Sequence, residues 1–185
     1  MPTLSRAVPT LMSRRIPAIA AALSVLVLGA PLLTGCSDFA ETNAFGNAID
    51  KYAKGDYQGA IIDYDKAIKI NPKDADAYIN RGLAKRNLND YQGSIADFSK
   101  AIQLDPHYAK AYNNRGFVKG KLKDYQSAIG DYNKAIAINP QHALAYTNRG
   151  IAKELVKDLE GACADWRKAA ALGNRDAARW VSKQC

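Results

Sequence analysis

The chain has 185 residues and a formal net charge of +8, from 26 Lys and Arg against 18 Asp and Glu, with only 3 Cys and 2 His. Its thiols and imidazoles form no cluster with zinc spacing, and its cations alternate with Asp instead of making the contiguous stripe that nucleic-acid binding requires. There is no Gly-rich phosphate loop and no nucleophile elbow, so neither a cofactor nor a metal nor an enzymatic reaction is expected.

Met1 to Cys36 differ in composition from the rest. Arg6, Arg14 and Arg15 precede an apolar run from Ile16 to Leu33, which closes on Leu33-Thr34-Gly35-Cys36. A charged start, an apolar middle and small residues before a cut describe a secretory signal. The last four residues resemble the lipobox of bacterial lipoproteins. That resemblance implies a signal peptide over 1–35 and a diacylglycerol on Cys36, which becomes residue one and is usually acylated again, with palmitate as a common chain. Residues 36–40 are then the lipidated Cys and a short linker. An uncleaved anchor and cleavage after Ala30 compete with this reading. Gly29 and Pro31 interrupt a run already near the minimum spanning length, and Pro31 disfavours a cut after Ala30. Ser37 lacks the acidic character that holds the resembling enterobacterial lipoproteins at the inner membrane. The resemblance therefore implies a bacterial envelope protein, lipid-anchored and facing the periplasm, with the outer membrane favoured over the inner. Loss of the three N-terminal Arg leaves 23 cations against 18 carboxylates, a net charge of +5.

From Glu41 onward the sequence repeats every 34 residues, in four segments opening at Glu41, Ala75, Ala109 and Ala143. The shared columns include Gly82/Gly116/Gly150, Asp56/Asp90/Asp124/Asp158, Ala60/Ser94/Ala128/Ala162, Tyr64/Phe98/Tyr132/Trp166, Ala67/Ala101/Ala135/Ala169 and Pro72/Pro106/Pro140. Self-similarity at a fixed period means a solenoid. Each unit predicts two apolar-periodic helices, Ala75–Leu88 and Tyr91–Leu104 in the second copy, parted by the turn Asn89-Asp90. The Asp column is placed to cap the second helix, and the Pro column to stop it. Gly in the first helix lets it approach the small Ser94, Ala128 and Ala162, with Phe98, Tyr132 and Trp166 filling the gap. The end copies depart from the pattern. Ala44 and Ala48 replace the first copy's aromatic and Gly, and Gly173-Asn174 replaces the last Pro turn. Arg175–Gln184 then predicts a capping helix that turns Ala177, Ala178, Trp180 and Val181 inward.

The period, the Gly, Ala, aromatic and Ala spacing and the closing Pro resemble the tetratricopeptide repeat. The resemblance implies an all-α, right-handed α-solenoid of four tandem helical hairpins, 41–74, 75–108, 109–142 and 143–174, plus a capping helix over 175–185. It also implies a protein-binding module whose first helices line a concave face.

Several columns are candidates for that binding. Asn80, Asn114 and Asn148 each carry a donor and an acceptor. They either bond the backbone of an extended peptide, as does the similar asparagine ladder of the O-linked N-acetylglucosamine transferase, or tie repeats together. Ile79, Leu83, Asn113, Phe117, Thr147, Ile151 and Leu155 would supply the floor. Arg81, Arg115 and Arg149 either pair with Asp63, Asp97, Asp131 and Asp165 or form an exposed row for acidic ligands. The Lys51/Lys85/Lys119/Lys153 and Lys66/Lys100/Lys134/Lys168 columns read as solvated faces. His107 and His142, beside turn prolines, read as solvated loop residues. Of the carboxylate clamp found in chaperone-binding members, only Asn80 and Lys110 match, with Phe45, Ile49 and Asn114 at the other places. Cys163 and Cys185 stand at similar distances from Gly173-Asn174, so they either form a disulfide or remain a buried thiol and a frayed one.

These features predict a membrane-anchored scaffold or adaptor of the bacterial envelope, binding a protein or peptide on its concave face. Similar tetratricopeptide lipoproteins act as secretin pilotins, barrel-assembly subunits or hydrolase adaptors. A cell-wall glycan binder and an accessory subunit of an envelope enzyme or secretion complex are the alternatives.

Overall fold

The computed structural model describes residues 34–185, with side chains from residue 43 onward. Residues 1–33 of the expected signal peptide 1–35, and the Cys36 side chain, lie outside them. The described residues form nine helices: α1 (Thr34–Ala53), α2 (Tyr57–Ile70), α3 (Ala75–Asn87), α4 (Tyr91–Leu104), α5 (Ala109–Lys121), α6 (Tyr125–Ile138), α7 (Ala143–Leu155), α8 (Leu159–Ala171) and α9 (Arg175–Gln184). α1 takes in residues 36–40, expected as a short linker, and no proline interrupts it down to Ala53.

Each odd helix packs on the even helix after it, and each pair on the next pair, in sequence order. That nearest-neighbour stacking defines an α-solenoid. α1 also meets α3, α3 meets α5 and α5 meets α7, while successive even helices make no comparable approach. The odd helices therefore lie on the inner, concave side.

Local chemistry sets the helix ends. Asp56, Asp90, Asp124 and Asp158 accept from the backbone N–H of Gly59, Gly93, Ser127 and Gly161 at 2.8–3.2 Å, capping α2, α4, α6 and α8. Such caps satisfy donors that the first turn leaves unpaired. Asn71, Asp105 and Asn139 close α2, α4 and α6, each accepting from an N–H two residues on, at 2.9–3.1 Å. Pro72, Pro106 and Pro140 lie between and cannot extend the helix.

The core of each hairpin is an aromatic ring laid over a glycine. A Cβ added at Gly82 would stand 2.8 Å from Phe98, at Gly116 2.9 Å from Tyr132, and at Gly150 2.4 Å from Trp166. Ser94, wholly buried, donates its hydroxyl to the Gly82 carbonyl at 2.8 Å, which ties α4 to α3. In the first copy Ala48 is buried against Tyr64, filling the glycine's place with one methyl group.

α9 covers the end of the stack. Ala177 is buried, and Trp180 lies with its ring centre 5.5 Å from that of Trp166. Ala178, expected to face inward with them, is exposed, because consecutive residues point about 100° apart around a helix. Cys163 and Cys185 are joined by a disulfide, so the C-terminus of α9 is fastened to α8.

The glycines give opposite expectations according to what surrounds them. Gly150→Ala drives a methyl into a fully buried indole and should destabilise the fold by about 1–3 kcal/mol. Gly130→Ala, inside α6 with nothing within 4 Å, should stabilise it by about 0.5–1 kcal/mol. Chemical denaturation of both variants measures the pair, and a stable Gly150→Ala protein contradicts the packing described.

Candidate functional site

Arg81, Arg115 and Arg149 are not an exposed cationic row. Nε and Nη2 of each grip one carboxylate on the partner helix: Asp97 at 2.9 and 2.6 Å, Asp131 at 2.9 and 2.7 Å, Asp165 at 2.8 and 2.5 Å. The remaining nitrogen, Nη1, reaches back to the preceding even helix. It meets Asp65 at 2.6 Å, Ser99 at 3.1 Å and Asn133 at 2.6 Å respectively. Each guanidinium also lies over the ring of Tyr78, Tyr112 or Tyr146, 5.4–5.6 Å from its centre.

Lys85, Lys119 and Lys153 pair with the same three carboxylates at 2.8, 2.8 and 3.0 Å. The expected solvated face is therefore part of the interior network for this column, since a carboxylate buried between helices must be neutralised. The first copy has Asn47 in the arginine's place. Its Asp63 is held instead by Lys51 and Lys66, each at 2.6 Å. These hydrogen bonds keep the Asp63 carboxyl below its ordinary value of 3.8, against the upward pull of burial.

The concave face is built from the odd helices. Leu83, Phe117 and Ile151 recur along it half-buried, with Ile49 exposed in the same column. Ile79, Asn113 and Thr147, one helical turn earlier, are buried at 5–7% exposure and do not form part of the open floor. Ile79 packs into a cluster with Tyr78, Phe98, Ala101, Ala111 and Val118, and Thr147 spends its hydroxyl on the Ala143 carbonyl at 3.0 Å.

The asparagine column divides. Asn148 donates to Asn113 on the neighbouring odd helix at 3.1 Å, so it ties two repeats together. Asn80 and Asn114 make no side-chain hydrogen bond among the described residues. Where Asn148 meets Asn113, the equivalent places one repeat earlier and two repeats earlier hold Ile79 and Phe45, which have nothing to accept with.

A cleft of about 250 Å³ opens on this face between α5 and α7. Phe117, Lys121, Asn148, Ile151 and Leu155 surround it, over Gly120, Tyr132 and Ala152. Sequence reading singled out neither Gly120 nor Lys121. The signal was a broken column: Tyr52, Arg86 and Glu154 carry long side chains where Gly120 has none.

His107 is exposed, as expected, but His142 is half-buried at the N-terminus of α7, with Nε2 buried and without a hydrogen-bond partner. Burial, with Lys110 nearby, holds its pKa below 6.5. Among the described residues no group of His, Cys, Asp and Glu is arranged to hold a metal ion, and no helix is long and apolar enough to cross a membrane.

The Asp63 pairing carries a pH dependence whose sign follows from its depressed pKa. Its stabilisation is present above the unfolded-state value near 3.9 and is lost as pH falls through the folded value. An NMR titration should place Asp63 below 3.8, and Lys51→Met should raise it. A midpoint unchanged by that substitution contradicts the pairing.

The family model described as TPR repeat matches residues 50–88 and 82–123, and that described as Tetratricopeptide repeat matches 109–142. No curated protein matches the chain. Among solved structures it is similar to MamA, at 26% identity and a TM-score of 0.69, covering 75% of this chain and 81% of that one. It is similar to Pseudomonas aeruginosa pilF at 20% identity and a TM-score of 0.73, covering 80% of this chain and 69% of that one. It is also similar to the first TPR of Spaghetti (RPAP3), bound to the HSP90 peptide SRMEEVD, at 27% identity and a TM-score of 0.57, covering 59% of this chain and 88% of that one. With its 34-residue period, its stacked helical hairpins and these matches, the chain is a tetratricopeptide-repeat protein.

Proposed function

We propose that this protein is a lipid-anchored adaptor of the bacterial envelope that binds an extended segment of a partner protein along its concave face. The observation that carries the binding role is the row of half-buried Leu83, Phe117 and Ile151 with the unpaired amides of Asn80 and Asn114 beside it. Side-chain amides can bond a peptide backbone whatever its sequence, while the apolar row takes alternate side chains. The peptide held by the similar RPAP3 repeat domain supports a peptide as the class of ligand. The specific chaperone tail is not the expected ligand, because Phe45, Ile49 and Asn114 occupy clamp positions. The anchor rests on Leu33-Thr34-Gly35-Cys36 after the apolar run, and Ser37 favours the outer membrane over the inner.

Partner binding tests the groove, and processing and detergent partition test the anchor. The protein is purified from its own envelope, its partner identified by mass spectrometry, and the affinity remeasured with variants. Asn80→Ala combined with Asn114→Ala should weaken binding by about 1 kcal/mol per lost bond and leave the melting temperature unchanged. Asn148→Ala should lower stability by about 1 kcal/mol, since Asn113 loses its donor. Undiminished affinity in the Asn80/Asn114 double variant removes the groove from consideration. Cys36→Ala should leave an unprocessed precursor, whereas the wild type should partition into detergent; a wild type that stays in the aqueous phase contradicts the anchor.

A further inference from the structure

We propose that the cleft beside Gly120 is an anchor pocket for one large apolar side chain of an acidic peptide segment, with Arg86 and Lys121 receiving the adjoining carboxylates. It rests on the peptide-binding reading above and specifies the chemistry of the ligand.

Size comes first. At about 250 Å³ the cleft lies below the roughly 300–1,000 Å³ usual for a whole small-molecule ligand, and so suits a single side chain. Phe117, Ile151, Leu155 and the rings of Tyr125 and Tyr132 give it apolar walls, and Asn148, Lys121 and the two tyrosine hydroxyls are the polar groups among its lining residues.

Gly120 makes the cleft, and packing does not demand a glycine there. A Cβ at Gly116 would meet Tyr132 at 2.9 Å, but one at Gly120 would come no nearer than 3.9 Å to the Tyr132 hydroxyl. Glycine inside a helix is disfavoured against residues with a side chain. Arg86 and Glu154 occupy the equivalent place in the neighbouring repeats. The cost of glycine here is matched by an open cleft on the binding face, in the third of the four repeats.

Charge then selects the neighbour of the apolar anchor. Arg86 from α3 and Lys121 from α5 both lie 5.4 Å from the centre of the Phe117 ring. Neither has a carboxylate partner among the described residues, whereas Arg115 and Lys119, on the same helix as Lys121, are neutralised by Asp131. The two free cations border a second, more polar cleft of about 350 Å³ with Asn87, Asn89 and Tyr91, and it shares Phe117 and Lys121 with the first. Unneutralised cations at the rim of an apolar pocket attract and orient acidic ligands. Because the two clefts meet at Phe117, the apolar and acidic groups must be adjacent in the ligand.

The test uses the full-length protein in detergent micelles and an acetylated, amidated heptapeptide, Gly-Ser-Leu-Glu-Glu-Ser-Gly, as probe. Calorimetry gives affinity and amide NMR gives location. The peptide should shift the amide signals of Gly120, Lys121 and Ala152. Replacing its Leu by Ala, or its Glu residues by Lys, should weaken binding at least tenfold. In the protein, Gly120→Leu should abolish those shifts while the melting temperature holds or rises. Arg86→Gln with Lys121→Gln should weaken binding about tenfold, or about 1.4 kcal/mol, and flatten its salt dependence.

Equal binding of the Ala-substituted peptide makes the site a general anion patch and overturns the proposal. So does undiminished binding to Gly120→Leu, or the absence of shifts at Gly120 with millimolar peptide. Partner affinity is measured separately in the Asn80→Ala, Asn114→Ala double variant. Failure of the cleft with partner binding still sensitive to those asparagines therefore rejects the cleft alone, and the converse result rejects the extended groove alone.

Discussion

The stack depends on burying a carboxylate in every hairpin. Asp63, Asp97, Asp131 and Asp165 are each 3–5% exposed, and a charge so placed without a partner is destabilising by several kcal/mol. In the last three copies the partner is an arginine that touches three helices at once: its own, the even helix after it, and the even helix of the preceding repeat. A planar guanidinium with donors pointing in fixed directions suits that task better than a lysine would. Hydrophobic packing alone would tolerate small shifts of one hairpin against the next, whereas the three-way contact fixes their register. The first copy shows the constraint from the other side, because Asn47 removes the arginine and two lysines take over the neutralisation.

That arrangement decides where recognition can occur. The arginines and one lysine column are committed to the interior network, so they cannot also serve as an anion-binding row. What remains on the concave face is an apolar row, two unpaired amides, and the cations Arg86 and Lys121 beside Phe117. The C-terminal end is closed by α9, with Trp180 against Trp166 and the Cys163–Cys185 bond holding it down. The inner side of the stack is therefore the surface we propose for the partner.

Much of this was legible from the repeat itself. A 34-residue period, with Gly facing an aromatic residue and Asp before each second helix, specifies the hairpin, because those residues act within one unit. The pairing of Arg with Asp was readable for the same reason. Features that depend on the neighbouring repeat were harder. Asn80, Asn114 and Asn148 look identical in sequence, yet only Asn148 faces a residue able to accept, while Phe45 and Ile79 face the other two. The lysines at positions 51, 85, 119 and 153 alternate with acidic residues as a solvated face would, and a column does not reveal that its carboxylate partner is buried. Ile79, Asn113 and Thr147 lie on first helices, as floor residues would, but neighbouring helices cover them to 5–7% exposure. Gly120 shows the opposite lesson, since a departure from the repeat marked the cleft.

A double-mutant cycle on Arg115 and Asp131 measures whether this contact holds the stack together. Arg115→Met and Asp131→Leu are made singly and together, and unfolding free energies are compared with partner affinities. The coupling should be about 2 kcal/mol or more in stability, with none in partner affinity. A coupling below about 0.5 kcal/mol in unfolding, or one that appears in binding instead, would contradict it.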